Sequence, residues 1–502
     1  MGIRAAIALG LVVYVIVTTA VSFFWMARVK RATDYLVAGR GLPFWVLAGT
    51  IVGTCIGTGV IIGGAGLAYQ HGWAGCAYPV GLGLGTLLAG LFFAGMRRYK
   101  FMTLSEEIAC YYEGNRGVVE FSNVTLFLSQ LCWLTVQIKG GAAVLGVVTG
   151  LSQAKCIMLA GFAKAIISIP GGLKAVVYTD VLQTTILFCG FGFLMHEALG
   201  GAGGLAGLQH SVPPDYFSFL GISSYGTWSV VGLILVLTLN PIADPGRRLT
   251  MYSANSEKSA KWSMVFSGIV VMIFSVVIGI TGMYTFHLNP HLRVADEALP
   301  WLVMNQLPVW LAAFVVVAVV AGMSSAANGN AAAAGTFWVR HIFPLLTGRF
   351  PKHPVVTVRW ALAFAFFAST ALAIYTGNIV QFVKTFLPLT MSGLGVVVLL
   401  GRFWKRANWQ GAIAALLATP VVALFVKLTP SQMNFWRDPT IPATLVGFLA
   451  QIVVSLLTAP QKRTFDEVAQ SMKQERQAIE GDLSDALHDP HFSQHTKPAT
   501  LN

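Results

Sequence analysis

Charge is what this chain has least of. Only 11% of its 502 residues are Asp, Glu, Lys or Arg, whereas a soluble domain carries about 25%. Too few charged groups remain to cover a water-facing surface, so the solvent of this fold is lipid. Other absences narrow the class further. Period-2 alternation of apolar and polar residues is missing, which argues against an outer-membrane barrel. The six cysteines (Cys55, Cys76, Cys110, Cys132, Cys156 and Cys189) form no CxxC pair and lie in or beside apolar runs, as small buried hydrophobes do. There is no HExxH or paired catalytic constellation to support an intramembrane enzyme. No small-residue cleavage site follows the run over 5–26, so the N-terminus is expected to be a retained membrane helix.

What the chain does have is apolar length. It is 55% hydrophobic with a mean hydropathy of +0.69, and the apolar residues fall in runs of about 20, enough to cross a hydrocarbon core of about 30 Å. Thirteen candidate spans result: 5–27, 44–69, 73–96, 118–149, 154–174, 179–199, 227–244, 263–286, 308–336, 357–377, 379–401, 409–427 and 440–458. The fourth and ninth are long enough to tilt or to extend past the bilayer. The expected fold class is all-α, a polytopic membrane protein.

The net charge of +13 reads as topology rather than nucleic-acid binding. Arg28, Lys30, Arg31 and Arg40 follow the first span. Arg97, Arg98 and Lys100 follow the third, and Arg247, Arg248, Lys258 and Lys261 the seventh. Arg340, Arg349, Lys352 and Arg359 follow the ninth, and Arg402, Lys405 and Arg406 the eleventh. All are odd-numbered exits. The positive-inside rule then puts the N-terminus outside and the C-terminus in the cytoplasm of a cell (inner) membrane. The acidic, amphipathic segment 103–113 is expected to lie along the inner surface. The polar tail from about 461, with a helix over 464–479, is expected to end in a disordered stretch holding Pro490 and Pro498.

Four spans carry features a lipid-facing helix would not keep. In the second, Gly49, Gly53, Gly57, Gly59, Gly63, Gly64 and Gly66 crowd one segment. Either they allow close helix packing, or the helix unwinds midway and frees backbone carbonyls, which is tolerated only beside protein or a cavity. In the seventh, Asn240-Pro241 and Asp244-Pro245-Gly246 make a second interruption, five spans after the first. Matched interruptions point to a transporter binding site; the alternative is that Pro241 only marks the span's inner end. In the ninth, Ser324 and Ser325 occupy neighbouring helix faces with Asn328 a turn further on. Such serines either bond back to their own helix or offer oxygens to an ion. The segment 171–183, GGLKAVVYTDVLQ, places Asp180 where a carboxylate costs about 2.5–3.5 kcal/mol at a helix centre.

These motifs carry a resemblance. The segment ATDYLVAGRGLPFW (32–45), the Gly-rich second span ending in GLAYQHG, GGLKAVVYTDVLQ entering the sixth span and GMSSAAN in the ninth are similar, in content and order, to the sodium:solute symporter family. The resemblance covers about 30–405. It implies a leucine-transporter-like core of two inverted five-helix repeats. The organisation would be a first helix and basic loop (1–43), first repeat (44–199), second repeat (227–401), two extra helices (402–460) and a polar tail (461–502). It also implies a sodium site between the second and ninth spans, with the carbonyls of Gly53, Ile56 and Ala321 and the hydroxyls of Ser324 and Ser325 as ligands. Some members hold a second sodium with the sixth-span aspartate and two further ninth-span serines. Here those positions are Ala327 and Asn328, so one sodium per cycle is expected, with Asp180 left as a gate, a proton site or a helix-end carboxylate near water.

The resemblance makes the fourth span a wall of the solute cavity. Lys139, within that span, then binds a substrate carboxylate, pairs with an acid such as Asp180, stands in for a missing cation, or snorkels to an interface. Lys164 and Lys384 lie nearer span ends, where snorkelling is the simpler expectation. Thr54, Thr58, Tyr78, Gln137, Thr238 and Asn240 are the other cavity candidates. They suit a small polar solute such as an amino acid or monocarboxylate. The function expected is sodium-coupled import by alternating access, carried out by a monomer in the bilayer, with sodium as the only metal and no nucleic acid partner. The rivals are a proton-coupled carrier of the same fold, a channel, and a solute sensor acting through a separate partner, the tail being too short for a signalling domain of its own.

Overall fold

A computed structural model of the protein describes residues 2–26, 38–168, 173–349, 351 and 354–473. Arg28, Lys30, Arg31, Lys352, the start of the 32–45 motif, Gly171, Gly172 and the tail beyond 473 lie outside the described residues. These residues are mostly helical, with one isolated β-bridge between Leu42 and Ala254. The helices that matter here are α1 (Ile3–Met26), α2 (Phe44–Cys55), α3 (Ala65–His71), α4 (Ala77–Phe93), α5 (Leu104–Tyr111), α6 (Arg116–Thr149), α7 (Gln153–Ser168), α8 (Leu173–Gly201), α9 (Thr227–Ala243), α10 (Pro245–Tyr252), α11 (Glu257–Leu288), α12 (Val309–Phe337), α13 (Pro354–Tyr375), α14 (Ile379–Leu387), α15 (Gly393–Phe403), α16 (Trp409–Leu428) and α17 (Thr440–Leu457).

Among the described residues ten helices are long and apolar enough to cross a membrane, eleven if the pair α9–α10, bent by 42°, is one span. The expected thirteen fall short in two places. The second span is interrupted, leaving α2 with 12 residues, and its second half runs on into the third as one segment, Gly59–Tyr99. The fifth, α7, has 16 described residues. The long fourth and ninth runs are present as α6, with 34 residues, and as the segment Val309–Thr347, with 39.

Large apolar side chains such as Ile16, Phe162, Ile273, Phe367 and Val421 are exposed around the bundle, as expected of surface solvated by lipid tails. Inside, small residues let helices approach. A Cβ placed on Gly83 of α4 would lie 2.6 Å from the Gly268 carbonyl oxygen of α11, so these backbones touch directly. Helix α12 is the central post, packing against α1, α2, α6 and α8.

The segment 103–113 does not lie along the surface. Thr103 caps α5 by accepting from Glu106 N at 3.4 Å, while the Glu106 carboxylate accepts from the backbone N–H of Met102, one residue before the cap, at 3.0 Å. Every residue of α5 is buried. The reason is charge pairing: Glu106 meets Arg340 at 2.8 Å and Glu107 meets Arg248 at 3.4 Å, with all four side chains buried. Tyr111 donates to Glu107 at 2.8 Å, Tyr252 donates to the same carboxylate, and Arg248 lies 3.9 Å over the Phe93 ring. Arg248 and Arg340, read from sequence as loop cations, are therefore parts of a closed plug on the basic side of the bundle. The tail reaches the same plug. Residues 465–473 are helical, with Phe465 packed against Tyr99 and Tyr111 at 4.9 and 5.2 Å.

Candidate functional site

The second span breaks where its glycines predicted. Helix α2 stops at Cys55 because Ile56 leaves helical geometry (φ −90°, ψ 61°), and the chain re-enters through a wide turn over Gly59–Gly64 before α3. Both halves lean on a small-residue face of α12. A Cβ on Gly57 would lie 2.6 Å from Ala326 Cβ, and one on Gly322 would lie 2.7 Å from the Ile56 carbonyl oxygen. One on Gly53 would lie 2.6 Å from Ser325 Oγ. The break thus brings Gly53 and the Ile56 carbonyl against the stretch of α12 that holds Ala321, Ser324 and Ser325, the five residues named from the sequence.

The surrounding shell is polar and buried. Ser325 Oγ has no hydrogen-bond partner. Asp180 on α8 neighbours Ser325, yet neither carboxylate oxygen makes a hydrogen bond of good geometry. Tyr14, from the first helix, accepts from Gln183 Nε2 at 2.8 Å and lies beside Ser324. Thr184 donates to the Gly49 carbonyl at 2.9 Å. Lys164 does not snorkel: it is buried and donates to Ser324 Oγ at 2.5 Å. Ala327, the expected missing ligand, is buried on the same helix, while Asn328 is half-buried. Tyr14, Gln183 and Thr184 were given no role from the sequence, and Lys164 only an interfacial one; the only signal was a polar side chain on a predicted span.

The seventh span breaks at Asp244, not at Asn240-Pro241. Helix α9 runs through Pro241, then Asp244 caps α10 by accepting from Arg247 N at 2.8 Å, with Pro245 at its first turn. A cavity opens between this break and the first, lined by Thr50, Thr54, Gly57, Tyr78, Trp133, Gln137, Asp180, Asp244, Arg247, Thr250 and Asn330 among others. Of the expected cavity residues, Thr54, Tyr78 and Gln137 face it, as does Asp180. Thr58 sits at its edge, where Gln137 Oε1 accepts from its backbone N–H at 3.0 Å. The Tyr78 and Thr58 hydroxyls are buried without partners. Asn240 and Thr238 are not in the lining: Asn240 accepts from Arg247 Nη1 at 2.8 Å and Thr238 donates to the Gly81 carbonyl at 3.3 Å.

Lys139 is elsewhere too. Its ammonium donates to the Thr376 and Gly377 carbonyls at the end of α13, a favourable place for a cation. The cavity cation is Arg247, which the sequence reading assigned to a basic loop. It is buried, its Nε has no partner, and its nearest carboxylate, Asp244, is 4.0 Å away and engaged as a cap. Lys384 is half-buried and paired with the buried Asp438 at 3.0 Å. Beyond the cavity, at the opposite end from the plug, Asp296 accepts from Ile379 N at 3.0 Å and Asn378 Nδ2 at 3.1 Å, tying the loop after α11 to the start of α14. Burial pushes the Asp296 carboxyl up to about 6.

Residues 35–419 match the model of the sodium:solute symporter family. The chain belongs to that family. It is 25% identical over 471 residues to the sodium/pantothenate symporter of Haemophilus influenzae, covering 89% of this chain and 95% of that protein. It is 24% identical to the sodium/glucose cotransporter of Vibrio parahaemolyticus (84% and 85% covered) and 25% identical to human high affinity choline transporter 1 (82% and 73%). A solved structure of a sodium-coupled sialic acid symporter in a substrate-bound outward-open state superposes with a TM-score of 0.78 at 18% identity, over 92% of this chain and 99% of that one. Mhp1, a nucleobase-cation-symport-1 family transporter, superposes at 0.57 and 13% identity, over 87% and 98%. The fold is that of the leucine-transporter-like carriers, and this symporter-family member is a multi-pass membrane transport protein rather than an enzyme.

Proposed function

We propose that the protein is a sodium-coupled symporter that imports a small carboxylate-bearing solute by alternating access, one sodium per cycle. Its N-terminus is outside and its C-terminus in the cytoplasm of the cell membrane. The observation that carries this reading is the meeting of the α2 break with the Ser325 face of α12, where the Ser325 hydroxyl is buried without a partner. Sodium is a hard cation that takes oxygen ligands. The carbonyls of Gly53, Ile56 and Ala321 and the hydroxyls of Ser324 and Ser325 supply five without a buried charge. Ala327 offers no hydroxyl for a second ion.

The solute reading rests on Arg247. A buried guanidinium keeps five donors in a fixed fork suited to a carboxylate, and its nearest acid among the described residues is held at 4.0 Å. Tyr78, Thr54 and Gln137 add neutral polar groups around it. A zwitterion moving with one sodium draws on the sodium gradient and the membrane potential. A tenfold gradient and 100 mV together are worth about 3.7 kcal/mol, roughly 500-fold accumulation. A monoanion with one sodium uses the gradient alone. The test is uptake of a panel of amino acids and monocarboxylates into reconstituted vesicles under sodium or potassium gradients. The reading expects sodium-driven accumulation that the double variant Ser324→Ala plus Ser325→Ala abolishes although it is still inserted. Undiminished sodium-driven uptake in that variant would remove the site.

A further inference from the structure

Lys164 is a buried ammonium with no carboxylate partner among the described residues; its one hydrogen bond goes to Ser324 Oγ. An unpaired cation at this depth is expensive and is kept only where it faces polar groups inside the bundle. Helix α7 turns Lys164 inward onto α12 at the pair of hydroxyls facing the α2 break. Next to them Ser325 Oγ and the Asp180 carboxylate lie side by side, with no hydrogen bond of good geometry at any of the three oxygens. The cluster therefore has acceptors to spare for a cation, and one cation, tethered to the chain, is already there. A serine hydroxyl that accepts from an ammonium turns its lone pairs toward that nitrogen. Sodium bound by the same oxygen would need those lone pairs and would meet a like charge a bond-length beyond.

We propose that the Lys164 ammonium is a tethered competitor of the coupling ion: it holds Ser324 while sodium is absent, and sodium binding displaces it. The proposal rests on the sodium reading of Ser324 and Ser325. The lysine lowers the apparent sodium affinity by the fraction of time it holds the hydroxyl. If that is nine-tenths of the time, the loss is about tenfold.

The test is sodium binding to the purified full chain, followed by thermal stabilisation in a titration of sodium chloride against choline chloride at constant ionic strength. Wild type is compared with Lys164→Met, Lys164→Gln and Lys164→Arg, each first shown to be monodisperse. The proposal expects half-saturating sodium to fall about tenfold or more in the Met and Gln variants and to stay at or above the wild-type value in the Arg variant, which keeps a cation. Unchanged half-saturation in the Met and Gln variants, or loss of sodium binding in them while wild type binds, overturns the competitor and leaves the sodium reading standing. Sodium binding gained only in the Met and Gln variants overturns displacement of the lysine by sodium in the native protein, and refutes sodium coupling with it. No sodium binding in any variant removes the site and the competitor together.

Discussion

Gly53→Ala is the sharpest perturbation of the ion site, because the added methyl group goes where two helices already touch. Its Cβ would sit 2.6 Å from Ser325 Oγ and 3.3 Å from Ser325 Cβ, and it would press on Thr184 Oγ1 as well. Ala in place of a helical Gly gains at most about 1 kcal/mol, and Gly53 lies only two residues before the end of α2, so the gain is smaller. Overpacking of a tight contact costs about 1–3 kcal/mol. The clash outweighs the propensity and falls on a proposed sodium ligand. The expected result is a rise of about tenfold in half-saturating sodium, equivalent to about 1.4 kcal/mol, with the protein still folded. Thr184→Ala removes one of the two clashes, so Gly53→Ala with Thr184→Ala is expected to recover part of the loss. The assay is sodium-dependent thermal stabilisation, with Gly49→Ala as control. That substitution presses Val181 Cγ2 at 2.9 Å, a turn away on the same helix pair. An unshifted sodium titration in Gly53→Ala, or an equal shift in Gly49→Ala, would refute the reasoning.

Two further outcomes follow from the cavity and from the contact of Asp296 with the start of α14. Arg247→Gln is expected to cut uptake of carboxylate solutes at least tenfold, the cost of one charge-assisted pair at about 1.5–3 kcal/mol, while sodium stabilisation of the protein persists; equal sensitivity of uncharged solutes would remove the carboxylate role. Asp296, whose carboxyl is raised by burial to about 6, stabilises the fold most below its unfolded value near 3.9. That contribution is lost as pH rises through about 6, so the melting temperature of wild type relative to Asp296→Asn should fall between pH 4 and pH 7. A difference that is flat with pH would contradict the assignment.

The sequence showed the two breaks because glycine and proline act locally. Gly53, Gly57 and Gly59 mark the first within three residues, and Asp244-Pro245-Gly246 marks the second, whereas Asn240-Pro241, named with it, does not break α9, which runs through Pro241 to Ala243. Charge was harder to place. Arg248 and Glu107 are 141 residues apart and Arg340 and Glu106 are 234 apart, so nothing local distinguishes a plug cation from a loop cation. The same distance effect exchanged the roles of the lysines. Lys139 caps α13 through carbonyls 237 and 238 residues away, and Lys164 meets Ser324 across 160 residues. A basic residue near a span end has two inexpensive fates, the interface or a buried acceptor, and only the packing of the helices selects between them.

The most direct test of the ion site is a pair of density maps of the purified protein, one in sodium and one in choline. An ion-sized peak is expected in sodium only, enclosed by the Gly53, Ile56 and Ala321 carbonyls and the two serine hydroxyls, with Lys164 moved off Ser324. A continuous helix through 56–58, or identical density in both salts with the lysine unmoved, would contradict it.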